Sequence, residues 1–272
     1  QQPIGMALFG MTVVLGPVMG PLIGGWLTEN LSWHYAFFVN VPVCAILLLL
    51  LFIGLPHEKP KWEYLTDADW AGILGLILGL GGLTVVLEEG HREEWFESSL
   101  IRWLTVVTII GFACLIYGQV KASKPVLKLR LLLNRQFASV AIMALALGMV
   151  MYGSTYVIPQ FLAIISDFNA FQTGLVIFWM GVPAFLLMPV LPLMIRKVDI
   201  RIAVGTGMLL MAISCFVSTS LTAESGGAVF TESQLIRGAG MILAMMFLNQ
   251  ATVASVAKED AGDASGIFNA AR

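Results

Sequence analysis

The chain has 272 residues, 58% hydrophobic and 12% charged, with a mean hydropathy of +0.87, against roughly 45–50% apolar and 25% charged in a soluble domain. That balance excludes a water-soluble globule, and a formal net charge of −2 offers no basic surface to a nucleic acid. Cys44, Cys114 and Cys215 each fall in a different apolar run without metal or disulfide spacing, and read as small buried residues. His34, His57 and His91 stand singly in or beside loops, which argues against an enzyme; no cofactor or metal is expected.

Apolar runs of about 20 residues are the length a helix needs to cross roughly 30 Å of hydrocarbon. They predict an all-α polytopic membrane protein with eight spans, near residues 5–28, 36–55, 70–88, 101–119, 137–160, 173–195, 203–222 and 236–257. Gln1-Gln2-Pro3 shows neither an initiator Met nor a signal-peptide layout, and Ala270-Ala271-Arg272 follows a Gly/Ala-rich run. The chain therefore reads as an internal piece of a longer protein.

The first span carries Gly16-Pro17-Val18-Met19-Gly20-Pro21-Leu22-Ile23-Gly24-Gly25. Glycines 16, 20 and 24 recur every four residues and share one helix face, where a second helix is expected to approach closely. Pro17 and Pro21 each remove a backbone donor and bend the helix. On spacing alone such a face is more often plain helix packing than function.

Between the third and fourth spans, Glu88, Glu89, Glu93, Glu94 and Glu97 surround His91 and Trp95. They read as a solvated outer loop anchored by Trp95 and Trp103, with a cation-attracting vestibule as the sharper alternative. After the fourth span, Lys124-Pro125-Val126-Leu127-Lys128-Leu129-Arg130-Leu131-Leu132-Leu133 is too basic to span. It suits the cytoplasmic interface, with leucines in the acyl boundary and bases at anionic lipid headgroups.

In the fifth span Tyr152, Thr155, Tyr156 and Gln160 recur at intervals of three to four and fall on one face, which core packing would use. Asn249 and Gln250, read as near the middle of the eighth span, either bond across helices or line a cavity. Few ionisable residues lie deep in the spans, so no acid is visible there to change charge in a protected cavity. The 14 Met and 16 Phe lean towards an adaptable apolar pocket.

Of the 15 Lys and Arg, eleven fall on one side: Lys59, Lys61, Lys121, Lys124, Lys128, Arg130, Arg135, Arg196, Lys197, Arg201 and Lys258. Arg92 lies opposite, with Arg102 and Arg237 at span edges, and Arg272 is unassigned. The positive-inside bias makes the even-numbered loops cytoplasmic and starts the first span inside.

The Gly/Pro string resembles the antiporter motif of drug exporters of the major facilitator superfamily, as do the following Trp33, Phe37-Phe38-Val39-Asn40-Val41-Pro42 and leucine-rich helix. With Glu88-Glu89-Gly90 and Trp95, the linker from Pro125 to Phe137, Arg237-Gly238-Ala239-Gly240 and Gly262-Asp263-Ala264-Ser265-Gly266-Ile267-Phe268-Asn269, the resemblance is to the fourteen-span drug:proton antiporters of EmrB/QacA type. It implies a partial major facilitator fold covering spans five to twelve. Residues 1–55 would end the N-terminal six-helix half, 56–120 would be two inserted spans, 121–136 a basic cytoplasmic linker and 137–272 an incomplete C-terminal half.

The resemblance also implies efflux of small amphiphilic, often cationic, substrates across the inner membrane in exchange for protons, by alternating access. The motif helix, Gly16, Pro17, Gly20, Pro21, Gly24 and Gly25, would seal against the other half, so a bulky residue at Gly20 should abolish efflux. The fifth span, with Tyr152, Thr155, Tyr156 and Gln160, would line the cavity. Asp199 and Arg201 keep the Asp-x-Arg end of the family's cytoplasmic gating loop, with Pro192 where a Gly is usual and Lys128 where the linker often has an acid. EmrB-like members imply a periplasmic adaptor and an outer-membrane channel as partners, whereas QacA-like ones work alone. Export of an envelope lipid or metabolite, and a non-transporting scaffold subunit, are the alternatives.

Overall fold

The computed structural model describes residues 16, 19–54, 68–122, 125–187, 189–220, 222, 225 and 227–272. Pro17, the loop with His57, Lys59 and Lys61, Lys124 and most of the first predicted span lie outside them. The described elements are helices: α1 (19–30), α2 (Trp33–Phe38), α3 (Asn40–Gly54), α4 (Trp70–Glu89), α5 (Ser99–Lys121), α6 (Arg135–Ile164), α7 (Ala170–Leu187), α8 (Leu191–Lys197), α9 (Ile200–Ser218), α10 (Gly227–Ala254) and α11 (Ala261–Ala271). Among the described residues seven stretches are long and apolar enough to cross a membrane, and they overlap the second to eighth predicted spans. The chain is a multi-pass, all-α membrane protein.

The breaks between helices follow from proline and from capping. Pro42 has no N–H and its ring crowds the Phe38 carbonyl, and the turn between α2 and α3 falls at Val39. The sixth predicted span, 173–195, proves to be two helices, α7 and α8, because Pro189 and Pro192 stand where one helix would have continued. Asp69 and Asp199 cap the helices that follow them, through Gly72 N–H and Arg201 N–H, both at 2.8 Å.

Two compact units are defined by their internal contacts. In the unit of residues 1–56, 139–254 and 271–272, α7 and α9 each pack on α10. Leu162, Val176 and Phe230 form a core there, backed by Ile158, Phe161 and Phe168. Every residue of α3 is exposed, Cys44 included, so the expectation of a buried Cys44 is corrected. Its run of leucines and Phe52 has the composition of a lipid-facing surface.

The second unit, residues 57–138 and 255–270, holds the hairpin of α4 and α5. The two backbones touch at Gly75, Gly79 and Gly111, where an added Cβ on Gly111 would overlap Gly79 N. In the connecting loop Glu94 and Trp95 both take positive φ, 55° and 54°. That turn lays the Trp95 ring over Gly90, so the ring keeps an exposed edge as an interface anchor needs.

At the other end of the hairpin Asp69 is 7% exposed and accepts hydrogen bonds from Gly72 N–H and from Val126 N–H of the linker, at 2.8 and 3.4 Å. It thereby ties helix start to linker. Asp69→Ala is expected to cost about 1–2 kcal/mol, the loss of a cap plus a stranded N–H. A thermal midpoint equal to that of the parent in detergent would contradict the capping role.

The linker itself docks within this unit. Leu127 and Leu131 pack on Phe137, Ala264 and Ile267, while Arg130, Leu132, Leu133 and Arg135 are exposed. Lys128 pairs with Asp260 and, at 3.4 Å, with Asp263 at the start of α11. The hydrogen bond to Asp260 is the largest cause that holds the ammonium above the ordinary lysine range. A raised pKa keeps this pairing intact at neutral pH, and it is lost only as pH climbs beyond that range. Because the pair is solvent-exposed, Lys128→Ala is expected to change stability little. Lys128→Glu, which sets three carboxylates together, is expected to speed amide exchange severalfold across residues 258–266; equal exchange in the two variants would count against the clamp.

Candidate functional site

The motif helix makes its tight contact through a different face from the one the glycine repeat suggests. Gly16, Gly20 and Gly24 have nothing within 4 Å of an added Cβ among the described residues. Gly25 is buried, and a Cβ there would overlap the Ala170 carbonyl; a Cβ on Gly174 would overlap the carbonyl of Pro21. Pro21 and Gly25 are four apart and share a face about 100° round the helix from Gly20 and Gly24. Gly25, not Gly16, Gly20 or Gly24, meets α7. Among the described residues, the close approach expected at Gly20 is found at Gly25.

On α6, Tyr152 and Tyr156 are 56% and 67% exposed, and Thr155 and Gln160 are exposed too. None of the four belongs to a core. Thr155 satisfies its hydroxyl on Met151 O at 2.8 Å, within its own helix. Pro159 interrupts the helix bonding beside Gln160. The result is a mixed aromatic and polar face, open to an amphiphilic ligand or to lipid, with little polar demand of its own.

Asn249 and Gln250 sit near the end of α10, which stops at Ala254, rather than at mid-span. Asn249 is exposed and donates to Met245 O of its own helix at 2.9 Å, with no interhelical bond among the described residues. Gln250 keeps a buried Oε1 without a partner among the described residues. No hydrogen bond among those residues joins this pair to the α6 face. Asp199 and Arg201 are exposed, and Asp199 acts locally as the cap of α9.

One residue was misplaced by hydropathy. The eighth span was expected to open at 236 with Arg237 at its edge, but α10 begins at Gly227. Ten residues into that helix, Arg237 lies roughly 15 Å from its end and is 3% exposed. Its guanidinium donates to Gln234 Oε1 at 3.1 Å and to Ser218 Oγ of α9 at 3.3 Å. Ser218 in turn donates to Ser214 O at 2.9 Å, and Ser214 to Ser233 O at 2.7 Å.

This buried polar column joins α9 to α10. Among the described residues no carboxylate pairs with Arg237, and its Nε has no partner. A guanidinium at the centre of a span costs about 2.5–3.5 kcal/mol on the insertion scale, which a pair of neutral acceptors offsets only in part. An ionisable group held at that cost inside the membrane is a functional candidate by default.

Against known proteins, the model of the Major Facilitator Superfamily matches residues 1–272. The chain is 31% identical over 267 residues to the "Colistin resistance protein EmrB" of Acinetobacter baumannii, covering 98% of this chain and 52% of that protein. It is 28% identical over 275 residues to the "Multidrug export protein EmrB" of Escherichia coli, covering 100% of this chain and 53% of the relative. To the "Fatty acid resistance protein FarB" of Neisseria gonorrhoeae it is 28% identical over 251 residues, 92% of this chain and 49% of the relative. It thus spans about half the length of the curated relatives it matches. With a family model matched along its whole length, the chain belongs to the major facilitator superfamily.

Proposed function

We propose that this chain is the middle part of a proton-driven multidrug efflux antiporter of the inner membrane, exporting lipophilic or cationic compounds by alternating access. The observation that supports this most is the close seam at Pro21, Gly25, Ala170 and Gly174, where the motif helix and α7 meet backbone to backbone. Such a seam excludes water and ions between two helices that must part to open a path. The names of the relatives from A. baumannii and E. coli agree with drug export.

Residues 1–55 and 137–272 belong in this reading to the two halves, with α4 and α5 as the inserted pair and residues 121–136 as the cytoplasmic linker. Tyr152, Thr155, Tyr156 and Gln160 face the substrate, and Met- and Phe-rich surroundings adapt to different shapes. An adaptor and an outer-membrane channel would complete an EmrB-like assembly. Expression of the full-length protein in a pump-deficient host is expected to raise tolerance to a panel of lipophilic cations. Unchanged tolerance across the panel, with the protein present in the membrane, would count against drug export. Export of an envelope lipid or fatty acid is the second reading, favoured by the relative named for fatty acid resistance.

A further inference from the structure

Glu29 is the last acidic residue of α1, and its Oε1 accepts a hydrogen bond from Ala170 N–H, the first amide of α7, at 2.9 Å. With the overlaps at Pro21 and Gly25, this makes three contacts at four-residue intervals along one face of α1. On α7 they fall at Ala170, Phe171 and Gly174, within the first five residues, at the end that the Lys/Arg distribution places outside. Towards the other end of α7, Phe185 and Leu186 are 56% and 66% exposed. Glu29, next to the last residue of α1, thus ties the outer end of that helix to the outer end of α7.

The Glu29 bond is not needed to start α7. Asn169 and Gln172 cap that helix reciprocally: Asn169 N–H donates to Gln172 Oε1 at 3.0 Å, and Gln172 N–H donates to Asn169 Oδ1 at 2.8 Å. Glu29 instead takes an amide that this box leaves over, and adds a negative charge at the positive end of the helix. A charge-assisted bond of this kind is about twice as strong as a neutral one. Yet it is single and exposed to solvent, so a conformational cycle can break it.

We propose that Glu29 is the latch of the outer gate: its carboxylate, held on Ala170 N–H, keeps the outer ends of α1 and α7 together while the protein faces inward, and releases when it opens outward. This rests on the alternating-access reading above. Gly25 and Gly174 let the helices meet, and Glu29 biases how long they stay met. It is a positioning residue and touches no substrate.

The test uses the full-length protein in cells, with every cysteine, Cys44, Cys114 and Cys215 among them, replaced by serine and Leu22→Cys as a reporter, since Leu22 lies against Gly174 at the seam. A membrane-impermeant maleimide added outside reads how often the seam opens. Glu29→Ala is expected to raise the labelling rate about tenfold, the population shift that a charge-assisted hydrogen bond carries. Glu29→Lys, which sets a cation against the positive helix end, is expected to raise it further. A merely structural loss would lower the amount of protein in the membrane without this ordered rise. Either variant that reaches the membrane decides: a rate equal to that of the Glu29 parent overturns the latch. Labelling needs no transported compound, so a failed latch and a failed efflux reading give separate results.

Discussion

Gly25→Leu is expected to lower efflux at least about tenfold while the protein still inserts, and Gly20→Leu is expected to do much less. The reason is what a side chain would meet. At Gly25 a Cβ already overlaps the Ala170 carbonyl, a backbone group that no rotamer change can move aside. Overpacking of that kind costs about 1–3 kcal/mol, and each 1.36 kcal/mol is roughly tenfold in a rate or population. At Gly20 the same atom enters open space among the described residues. Gly174→Leu should match Gly25→Leu, because it strikes the same seam from the α7 side at Pro21. Dye efflux normalised to membrane protein separates the variants; equal activity of Gly25→Leu and Gly20→Leu would place the functional contact elsewhere on α1.

Arg237→Met is expected to abolish efflux without lowering thermal stability. Methionine occupies much of the arginine stem's volume, and replacing a buried charge by an apolar side chain is often neutral or stabilising. Arg237→Ala is the harsher control, since it also leaves a cavity and strands Gln234 and Ser218. If the charge serves only to pin α9 to α10, the methionine variant should transport normally with an equal or higher midpoint. Lost transport with a preserved midpoint assigns the guanidinium to the transport cycle.

The span pattern was open to sequence reasoning because each helix carries its own signals. α4 shows this well: Asp69 caps it, Gly90 follows it, and the predicted 70–88 became Trp70–Glu89. α10 was read nine residues short for a physical reason. Its first turns, with Thr231, Glu232, Ser233 and Gln234, dilute a hydropathy window, while in the fold Ser233 and Gln234 are 1% exposed and paired. Their cost is met by partners on α9 and within α10, and a window sees no partners.

The same limit hid the seam. Spacing reveals which glycines share a face, but which face another helix covers is decided by packing, and the contact fell to Gly25. For Asn249, read as either bonding across helices or lining a cavity, the amide donates within its own helix. Of the residues singled out on α6, periodicity placed Tyr152, Thr155 and Tyr156 together, and only the fold shows that this face stays out of the core.

Proton coupling is tested most directly with the full-length protein purified and reconstituted into liposomes that hold a pH-sensitive dye inside. Addition of ethidium or a similar lipophilic cation is expected to drive proton movement in the opposite direction, absent from empty liposomes and lost in Arg237→Met. Cation movement that proceeds at the same rate with and without an imposed pH gradient, and leaves the internal pH unchanged, would contradict a proton-driven antiporter.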